Sequence, residues 1–450
     1  MDRRSSIMAA ALAVVFLLAG TAGAQSILWE KRYGEGGDEM AWEVIEMPDS
    51  GFFVAGQQYT ERWRAFLART QMDGTLDWLL RFGDSLVAGS FVGLVLMPDS
   101  GIVAAGGGRP PGGAGRNMVI RWDKDYNIVW QVGIPGNGDY RALARITNGD
   151  LVGCLDTFPS GQRTTVVHRI DPDNGDVIAS ILVDSCKFGY DIINTSDGGW
   201  LVTGEHKGGG GYVGKFTTGS ALAWEAKLQV PGVTTYGSAA LETSGGYIIA
   251  GYGFAVMAAR VSNTGNVDWI STYMGGYANG VCHAFDGGYV LTGQTEQDAF
   301  AMHINATGDS VWTTTFGDGE LDWGYNVIQT ADSNYVVCGE YGVTSSNSDA
   351  YLVKIGGPGA IAEGPGREVE AGFSVRPNPS FGRVSFTAPF GGPGVLTVRD
   401  AAGRAVVETG VEMRTGESVR LATGLAAGTY FVEVKGANGR EASRPFVVTR

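Results

Sequence analysis

The chain has 450 residues, of which 71 are glycine, 10% are aromatic and only 18% are charged. This composition is typical of sheets and turns rather than long helices, and the aromatic content excludes a disordered chain. The net charge of −14 opposes electrostatic attraction to phosphates, so no nucleic-acid partner is expected.

Residues 1–24 have the parts of a secretory signal peptide. A basic start precedes a short apolar run, and Ala22-Gly23-Ala24 supplies the small residues of a cleavage site. The apolar run is shorter than the ~20 residues that span a membrane, and no other segment is a candidate transmembrane segment. We therefore expect cleavage near Ala24 and a mature chain that is secreted or held at the outer cell surface.

One phrase recurs along residues 25–356. DGGYVLTG (286–293) has close copies that end at Gly56, Gly204 and Gly251. Each copy begins with a turn that tolerates positive φ between two apolar runs, as in a β-hairpin. The run after the turn is nearly all apolar, which predicts a strand buried on both faces. Its closing glycine is expected where backbones crowd.

The recurring turn occurs seven times, in units of about 45–50 residues that each offer four short strands. A second phrase, as in NTGNVDW (263–269), ends most units with a tryptophan. Four-stranded units at this period predict an all-β fold, a seven-bladed β-propeller. The last unit ends at Ile355 without a tryptophan strand, whereas Ile27–Tyr33 is such a strand with no unit before it. We expect Ile27–Tyr33 to complete the seventh blade.

A basic residue or histidine stands at one position of every unit: Arg69, Arg121, Arg169, Lys215, Arg260, His303 and Lys354. A ring of cations could hold an anion. We favour ion pairs within the units, since binding sites rarely need one identical residue from every blade.

Other chemistry-bearing residues give no metal or catalytic pattern. The four cysteines form no C-x-x-C pair and are expected to be small buried residues, and the four histidines lack metal spacing. Asp171–Asp176 resembles a calcium loop but coincides with a predicted hairpin turn, which we favour. We assign no catalytic residue, metal or cofactor.

Loops from the outermost strand of one unit to the first strand of the next share one face, where propellers tend to bind ligands. These loops are rich in aromatic residues and carboxylates, which hold sugars or cations. The candidate ligand-binding residues are Asp38, Tyr140, Tyr190, Tyr236, Tyr277, Asp322 and Trp323. An extracellular glycan or protein is the expected ligand, and a simple role in turns is the alternative.

The composition changes after the repeats. Residues 357–371 form a Gly/Pro/Glu-rich linker, and residues 372–450 contain alternating apolar runs separated by Gly and Pro. These runs predict a small Ig-like β-sandwich. Pro445 lacks an N–H group, so we expect it at the start or on the edge of the last strand.

Three motifs follow one another in this tail. They are Pro377-Asn378-Pro379, then Asp400 with Gly403-Arg404, then Gly428 with Tyr430. In this order the tail resembles the C-terminal sorting domain of type IX secretion substrates. The resemblance implies contact with that secretion machinery and export across an outer membrane. A generic Ig-like spacer, similar to a domain of flagellar-hook capping proteins, is the alternative.

The turn-and-tryptophan phrases resemble quinoprotein-type propeller repeats, and the units resemble the DGGY repeats often found ahead of such tails. A quinoprotein enzyme would need a cofactor-stacking tryptophan, a calcium site and a catalytic aspartate, whereas the repeats share only the docking phrase. We therefore expect a non-catalytic binding, adhesion or scaffold protein. Two alternatives stay open: an extracellular enzyme, either quinoprotein-like or acting on polysaccharide, and a structural repeat protein of the cell envelope.

Overall fold

The computed structural model describes two parts of the chain. The first is 25–357, with gaps at 35, 50, 60–62, 83–86, 110–116, 135–137, 159–160, 318–319 and 345–346. The second consists of 375–376, 383–387, 391–400, 404–414, 417–422, 425, 428–436 and 441–448. The expected signal peptide (1–24) and nearly all of the expected linker lie outside these residues. The described residues form strands and turns without an α-helix, and no helix among them could cross a bilayer.

The repeat region begins with β1 (Ile27–Tyr33) and continues in seven units, which are numbered 1 to 7 in chain order. Units 1 and 2 comprise β2 (Asp38–Glu46), β3 (Phe52–Tyr59), β4 (Trp63–Thr70), β5 (Leu76–Phe82), β6 (Val87–Leu96), β7 (Ile102–Arg109), β8 (Asn117–Trp122) and β9 (Ile128–Ile134). Units 3 and 4 comprise β10 (Tyr140–Arg145), β11 (Leu151–Thr157), β12 (Thr164–Ile170), β13 (Val177–Val183), β14 (Cys186–Asn194), β15 (Trp200–His206), β16 (Gly211–Phe216) and β17 (Leu222–Leu228). Units 5 to 7 comprise β18 (Tyr236–Thr243), β19 (Gly246–Tyr252), β20 (Val256–Ser262), β21 (Val267–Thr272), β22 (Tyr277–His283), β23 (Tyr289–Gln294), β24 (Ala299–Ile304), β25 (Ser310–Phe316), β26 (Trp323–Gln329), β27 (Tyr335–Thr344) and β28 (Asn347–Ile355).

Strands pair in chain order within each unit. Units 2 to 6 are separate four-stranded antiparallel sheets, and units 1 and 7 join into one eight-stranded sheet through a single parallel pair, Asp38 with Ser348. In that sheet β1 pairs antiparallel with β28, from Ile27 opposite Ile355 to Tyr33 opposite Ala350. The predicted pairing of the first strand with the last unit is confirmed.

The first strands of the units lie side by side in the middle of the repeat region. Each contacts the first strand of the next unit, and β26 of unit 7 contacts β2 of unit 1. Repeating four-stranded sheets arranged in this way form a β-propeller, in agreement with the predicted architecture.

The closing glycine of the recurring phrase is required by a close approach of two backbones. A Cβ atom on Gly293 would lie 1.8 Å from the carbonyl oxygen of Tyr277 on the neighbouring first strand. The corresponding distances at Gly56, Gly204, Gly251 and Gly339 are between 1.7 and 2.1 Å. The prediction from sequence that backbones crowd here is confirmed.

The recurring tryptophans connect one unit to the next. Trp224 Nε1 donates to the carbonyl oxygen of Asn263 at 2.9 Å, and Asn263 lies in the outer turn of the following unit. Gly265 of that turn has φ of +85°, and a Cβ there would lie 2.9 Å from the Trp224 ring. Trp130 donates likewise to Pro172 at 3.0 Å. The phrase therefore couples a left-handed turn to the tryptophan that covers it.

The recurring basic residues pair within their own units. Six of them contact the acidic residue of the first turn of their unit: Arg69 with Asp49, Arg121 with Asp99, Arg169 with Asp150, Lys215 with Asp197, His303 with Asp286 and Lys354 with Asp332. Unit 5 has Ser244 in that turn, and Arg260 donates to its carbonyl oxygen at 3.0 Å. The interpretation of this register as internal ion pairs is confirmed for the five arginine and lysine contacts with aspartate, and Arg260 pairs with Asp268 of its own unit at 3.3 Å. Burial lowers the pKa of His303, so its contact with Asp286 is an ion pair only when the imidazole is protonated.

The described residues of the tail form two antiparallel sheets. Its strands are β29 (Val375–Arg376), β30 (Arg383–Thr387), β31 (Gly392–Asp400), β32 (Ala405–Met413), β33 (Ser418–Ala422), β34 (Gly428–Gly436) and β35 (Glu441–Val448), paired in the orders β29-β30-β33 and β32-β31-β34-β35. Phe386 of the first sheet shares an apolar core with Leu396 and Val432 of the second. Pro445 lies on β35, an edge strand, which confirms the predicted edge position.

Candidate functional site

Every unit carries a β-bulge in its first strand. In unit 1, Ala41 pairs with Gly56 and Glu43 pairs with Ala55, so Trp42 has no partner across the ladder. The unpaired residues of the seven units are Trp42, Val92, Arg141, Tyr190, Ser238, Asn279 and Tyr325. Bulges re-aim side chains, and here they do so at one position around the whole inner ring.

Aromatic residues at the bulge, and two residues before it, form a continuous row across units 4 to 7 and into unit 1. Together with Tyr252 at the end of β19, we call them the aromatic row: Phe188, Tyr190, Tyr236, Tyr252, Tyr277, Trp323, Tyr325 and Trp42. Successive ring centroids are 4.2 to 6.0 Å apart where rings pack directly, from Phe188–Tyr190 at one end to Trp42–Tyr325 at the other. Burial raises the pKa of Tyr190, and the neighbouring Tyr252 hydroxyl raises it further. Tyr190 and Tyr252 are therefore close to each other within the row.

The structure brings four of the seven predicted ligand residues into this row. Tyr190, Tyr236, Tyr277 and Trp323 belong to it, and Tyr277 is 41% exposed. Four rings along one row give a ligand apolar surface edged by the hydroxyl groups of the tyrosines, as interfaces commonly do.

The other three predicted residues lie apart from the row. Tyr140 is 1% exposed, and its hydroxyl lies 2.8 Å from His168 Nδ1 inside unit 3. Asp322 is fully buried and accepts the backbone N–H of Gly342 at 2.9 Å. Asp38 begins β2, where unit 1 meets unit 7.

The position of Tyr140 follows from the bulge. Tyr140 is one residue before the unpaired Arg141, whereas Tyr190 is the unpaired residue of its own unit. A displacement of one residue along a strand moves a side chain to the opposite face. Trp42 and Tyr325 were missed from sequence because they are bulge residues, although a small residue one position before Trp42, Tyr190 and Tyr325 marks the bulge. Phe188 and Tyr252 were also missed.

A basic cluster borders the row at unit 3. Arg141 Nε and Arg163 Nη1 each lie 3.6 Å from a carboxylate oxygen of Asp156, whose side chain is only 6% exposed. The Arg163 guanidinium also lies 4.3 Å from the ring centroid of Phe188, the first member of the row. The cluster therefore continues the same face into unit 3.

Two carboxyl groups follow bulges on opposite sides of the inner ring. Burial, and then the charge of Asp191, raise the pKa of Glu43 well above its usual range. Asn326 Nδ2 donates to Glu43 at 3.1 Å, and the backbone N–H of Ala240 donates to Asp191 at 2.8 Å. Since Glu43 is in unit 1 and Asp191 in unit 4, the charge of Asp191 acts on Glu43 across the centre of the ring.

Stability is expected to fall between about pH 4 and pH 6 because of Asp191. Burial raises its pKa to about 6, against the lowering effect of the N–H groups of Ala240 and Ile192. An aspartate in the unfolded chain has a pKa near 3.9. Between that pH and pH 6 the folded protein keeps the proton on Asp191 and the unfolded chain loses it, so the free energy of unfolding falls as the pH rises through this range. Urea denaturation should show wild type losing about 3 kcal/mol relative to Asp191→Asn over this range. Parallel losses in the two proteins would contradict the expectation.

The cysteines and the calcium-like loop show no site chemistry in the described residues. All four cysteines are free and buried, as predicted, and burial raises their pKa values. In the described stretches, no three His, Cys, Asp or Glu side chains are grouped as a metal site requires. Asp171–Asp176 forms a turn in which the Asp171 N–H donates to the Asp176 carbonyl at 2.9 Å.

The sorting-motif residues are only partly described. Pro377, Asn378, Pro379 and Gly403 lie outside the described residues. Asp400 ends β31 and pairs across the ladder with Tyr430, which is buried in the tail core. Gly428 begins β34, and Arg404 is exposed before β32.

Comparison with known proteins gives structural relatives only. No protein-family model and no curated protein matches the chain. Raptor from Chaetomium thermophilum matches with a TM-score of 0.51 at 9% identity, over 74% of this chain and 29% of Raptor. The C-terminal WD40 domain of Sif2 (TM-score 0.46, 10% identity) and a protein of unknown function from Dyadobacter fermentans (0.45, 12%) are each covered to 99%, by 74% of this chain.

The likeness to Raptor concerns the fold alone, because the identity is 9%. The series of four-stranded sheets, closed by contact between first and last units, defines the class of the repeat region as a β-propeller. The comparisons give no more particular relationship.

Proposed function

We propose that the chain is a secreted or surface-held, non-catalytic β-propeller of seven blades that binds a glycan along the aromatic row. The aromatic row is the observation that carries this proposal. It joins side chains from five consecutive units on the face where propeller loops converge, and it contains four residues chosen from sequence alone. Stacked or tilted tyrosine and tryptophan rings offer large apolar area at little entropic cost, with polar groups at their edges.

A binding experiment with matched variants tests the proposal. We expect the full chain to bind at least one polysaccharide of a panel in isothermal titration calorimetry. Trp323→Ala or Tyr277→Ala should weaken that binding about tenfold, since each removes roughly 1.4 kcal/mol or more of contact. Phe285→Ala is the control, because Phe285 is 43% exposed in the first turn of unit 6, at the end of the strand away from the row. Binding that is unchanged in both row variants, or absent for the whole panel, overturns the proposal.

The carboxyl groups of Glu43 and Asp191 favour a second candidate, an enzyme that acts on polysaccharide. In glycoside hydrolysis one carboxyl group with a raised pKa protonates the leaving oxygen, while a second carboxylate stays ionised. Burial raises the pKa of Glu43 well above its usual range and that of Asp191 to about 6, so Glu43 is the candidate acid and Asp191 the candidate carboxylate. This candidate predicts the release of reducing ends from the bound polysaccharide and the loss of that release in Glu43→Gln. A bound polysaccharide that stays intact with wild type rejects it.

For the tail we propose an Ig-like sorting domain, residues 372–450, that directs export through a type IX-like system after removal of residues 1–24. The order of the three motifs and the pairing of Asp400 with Tyr430 in one ladder support it. In a host with that machinery, the full chain should reach the surface or the medium. A chain lacking residues 372–450 should stay within the cells, and equal export of both would reject the sorting role.

A further inference from the structure

The basic cluster carries more positive charge than its partner neutralises. Arg141 and Arg163 share the single carboxylate of Asp156, and their side chains are 44% and 35% exposed. Both contacts are 3.6 Å, longer than a hydrogen bond. The guanidinium groups therefore keep N–H donors for a ligand while the buried carboxylate holds them in place.

Aromatic packing fixes Arg163 further. Its guanidinium lies 4.6 Å from the ring centroid of Phe158 and 4.3 Å from that of Phe188, so it is held between two rings. A guanidinium stacked in this way is pre-organised and presents its planar fork at little entropic cost. Lys187 adds a cation 5.2 Å from the Phe188 ring, although Glu205 accepts from it at 2.8 Å.

The cluster and the aromatic row form one surface. Phe188 contacts Arg163 on one side and packs 6.0 Å from Tyr190 on the other. Arg141 occupies in unit 3 the bulge position that Tyr190 occupies in unit 4. Burial raises the pKa of Tyr190, and the nearby charge of Arg141 offsets a small part of that rise. A ligand lying on the row can therefore reach both arginines at its end.

We infer that the ligand of the aromatic row is an acidic glycan, with the carboxylate of a uronic acid bound by Arg141 and Arg163. This inference rests on the proposed function, because it names the chemical class of the glycan. The chain has a net charge of −14, so a locally positive end on the binding face is a specific feature. Planar guanidinium groups match carboxylates with two parallel hydrogen bonds. The row provides stacking for the neighbouring sugars.

The test compares two ligands that differ only in charge, oligogalacturonate and its methyl ester. We expect the full chain to bind the acid at least tenfold more tightly than the ester. Arg141→Gln and Arg163→Gln should each weaken binding of the acid about tenfold and leave binding of the ester unchanged. Each single variant leaves Asp156 with one arginine partner, which preserves the fold. A further variant, Arg163→Lys, keeps the positive charge but lacks the planar guanidinium group. Lys124→Gln is the control, since Lys124 is an exposed cation in an outer turn.

The outcomes separate this inference from the proposed function. Equal affinity for acid and ester, or acid binding that resists both arginine substitutions, overturns the inference. Binding of neutral glycans alone, weakened by Trp323→Ala, overturns it and leaves the proposed function standing. Binding of polyglutamate that depends on the arginines, without binding of the acid glycan, assigns the face to an acidic peptide and overturns both. Weakening of both ligands by Trp323→Ala alongside arginine-dependent acid binding supports both.

Discussion

Gly293→Ala should destabilise the protein by about 3 kcal/mol or more, a loss at the upper end of what overpacking costs. The new Cβ would lie 1.8 Å from the Tyr277 carbonyl oxygen and 2.9 Å from Ala278 Cα, both backbone atoms of the first strand. A flexible side chain could rotate away, but here the strand itself has to move. Since Tyr277 belongs to the aromatic row, glycan affinity should fall together with stability. Urea denaturation and calorimetric titration of the same preparation measure both.

Gly275→Ala is the matched control for this substitution. Gly275 lies two residues before Tyr277, and a Cβ there meets no atom within 4 Å. Its replacement should change stability by no more than about 0.5 kcal/mol. Equal stability of the two variants would contradict the close approach. Unit 3 shows the alternative arrangement: Leu155 stands opposite Tyr140 where other units have glycine, and β10 starts only at Tyr140.

Removal of residues 25–33 is expected to have the largest effect, a loss of at least about 5 kcal/mol. The deletion exposes the edge of β28 and removes Trp29 and Tyr33 from the core between units 1 and 7. Truncation of one buried tryptophan alone typically costs 3–5 kcal/mol, and whole domains are stable by about 5–15 kcal/mol. Thermal unfolding and size-exclusion chromatography should show a low-melting, associating protein, because an open edge strand pairs with other chains.

A rearranged chain provides the control for this deletion. In it, residues 27–33 follow Ile355 through the five-residue turn Ser262–Asn266 copied from unit 5, which there joins Val261 to its partner Val267. Unit 7 then has the same connectivity as the others. This chain should regain the melting temperature of wild type, because every pairing of β1 with β28 is restored. If it stays as unstable as the deletion, the loss does not come from the missing strand.

The features that sequence predicted best are those with a local backbone requirement. The turn before Tyr289 and the turn under Trp224 each place a glycine at positive φ, Gly287 and Gly265. Similar letters therefore recur at these turns, although Ser100, Tyr126, Ser220 and Ser333 adopt positive φ in other units. The pairing of β1 with β28 was also predictable, because a strand type absent at one end of the repeats was present at the other.

The composition of the aromatic row was only half predictable, because the small residue that marks a bulge in some units is a weak signal in a single sequence. Loop composition selected Tyr190 and Tyr277 correctly, but the same criterion selected Tyr140, which lies one residue off the bulge and is buried. The cluster at Asp156 could not be predicted at all. It unites Arg163 with Phe188 of the next unit, and only the packing of units 3 and 4 brings them together.

The pairing of β1 with β28 determines when the propeller can close during synthesis or export of the chain. The Gly356 N–H donates to the Ser26 carbonyl at 2.9 Å, so the first and last residues of the repeats emerge side by side. Strand β1 is made first, but its partner β28 is made last, more than three hundred residues later. The two strands can therefore pair only after the whole repeat region is present. The ring of seven units cannot close until residue 355 is available. A chain passing end-first through a narrow channel is thus held in an unclosed state until its final unit arrives.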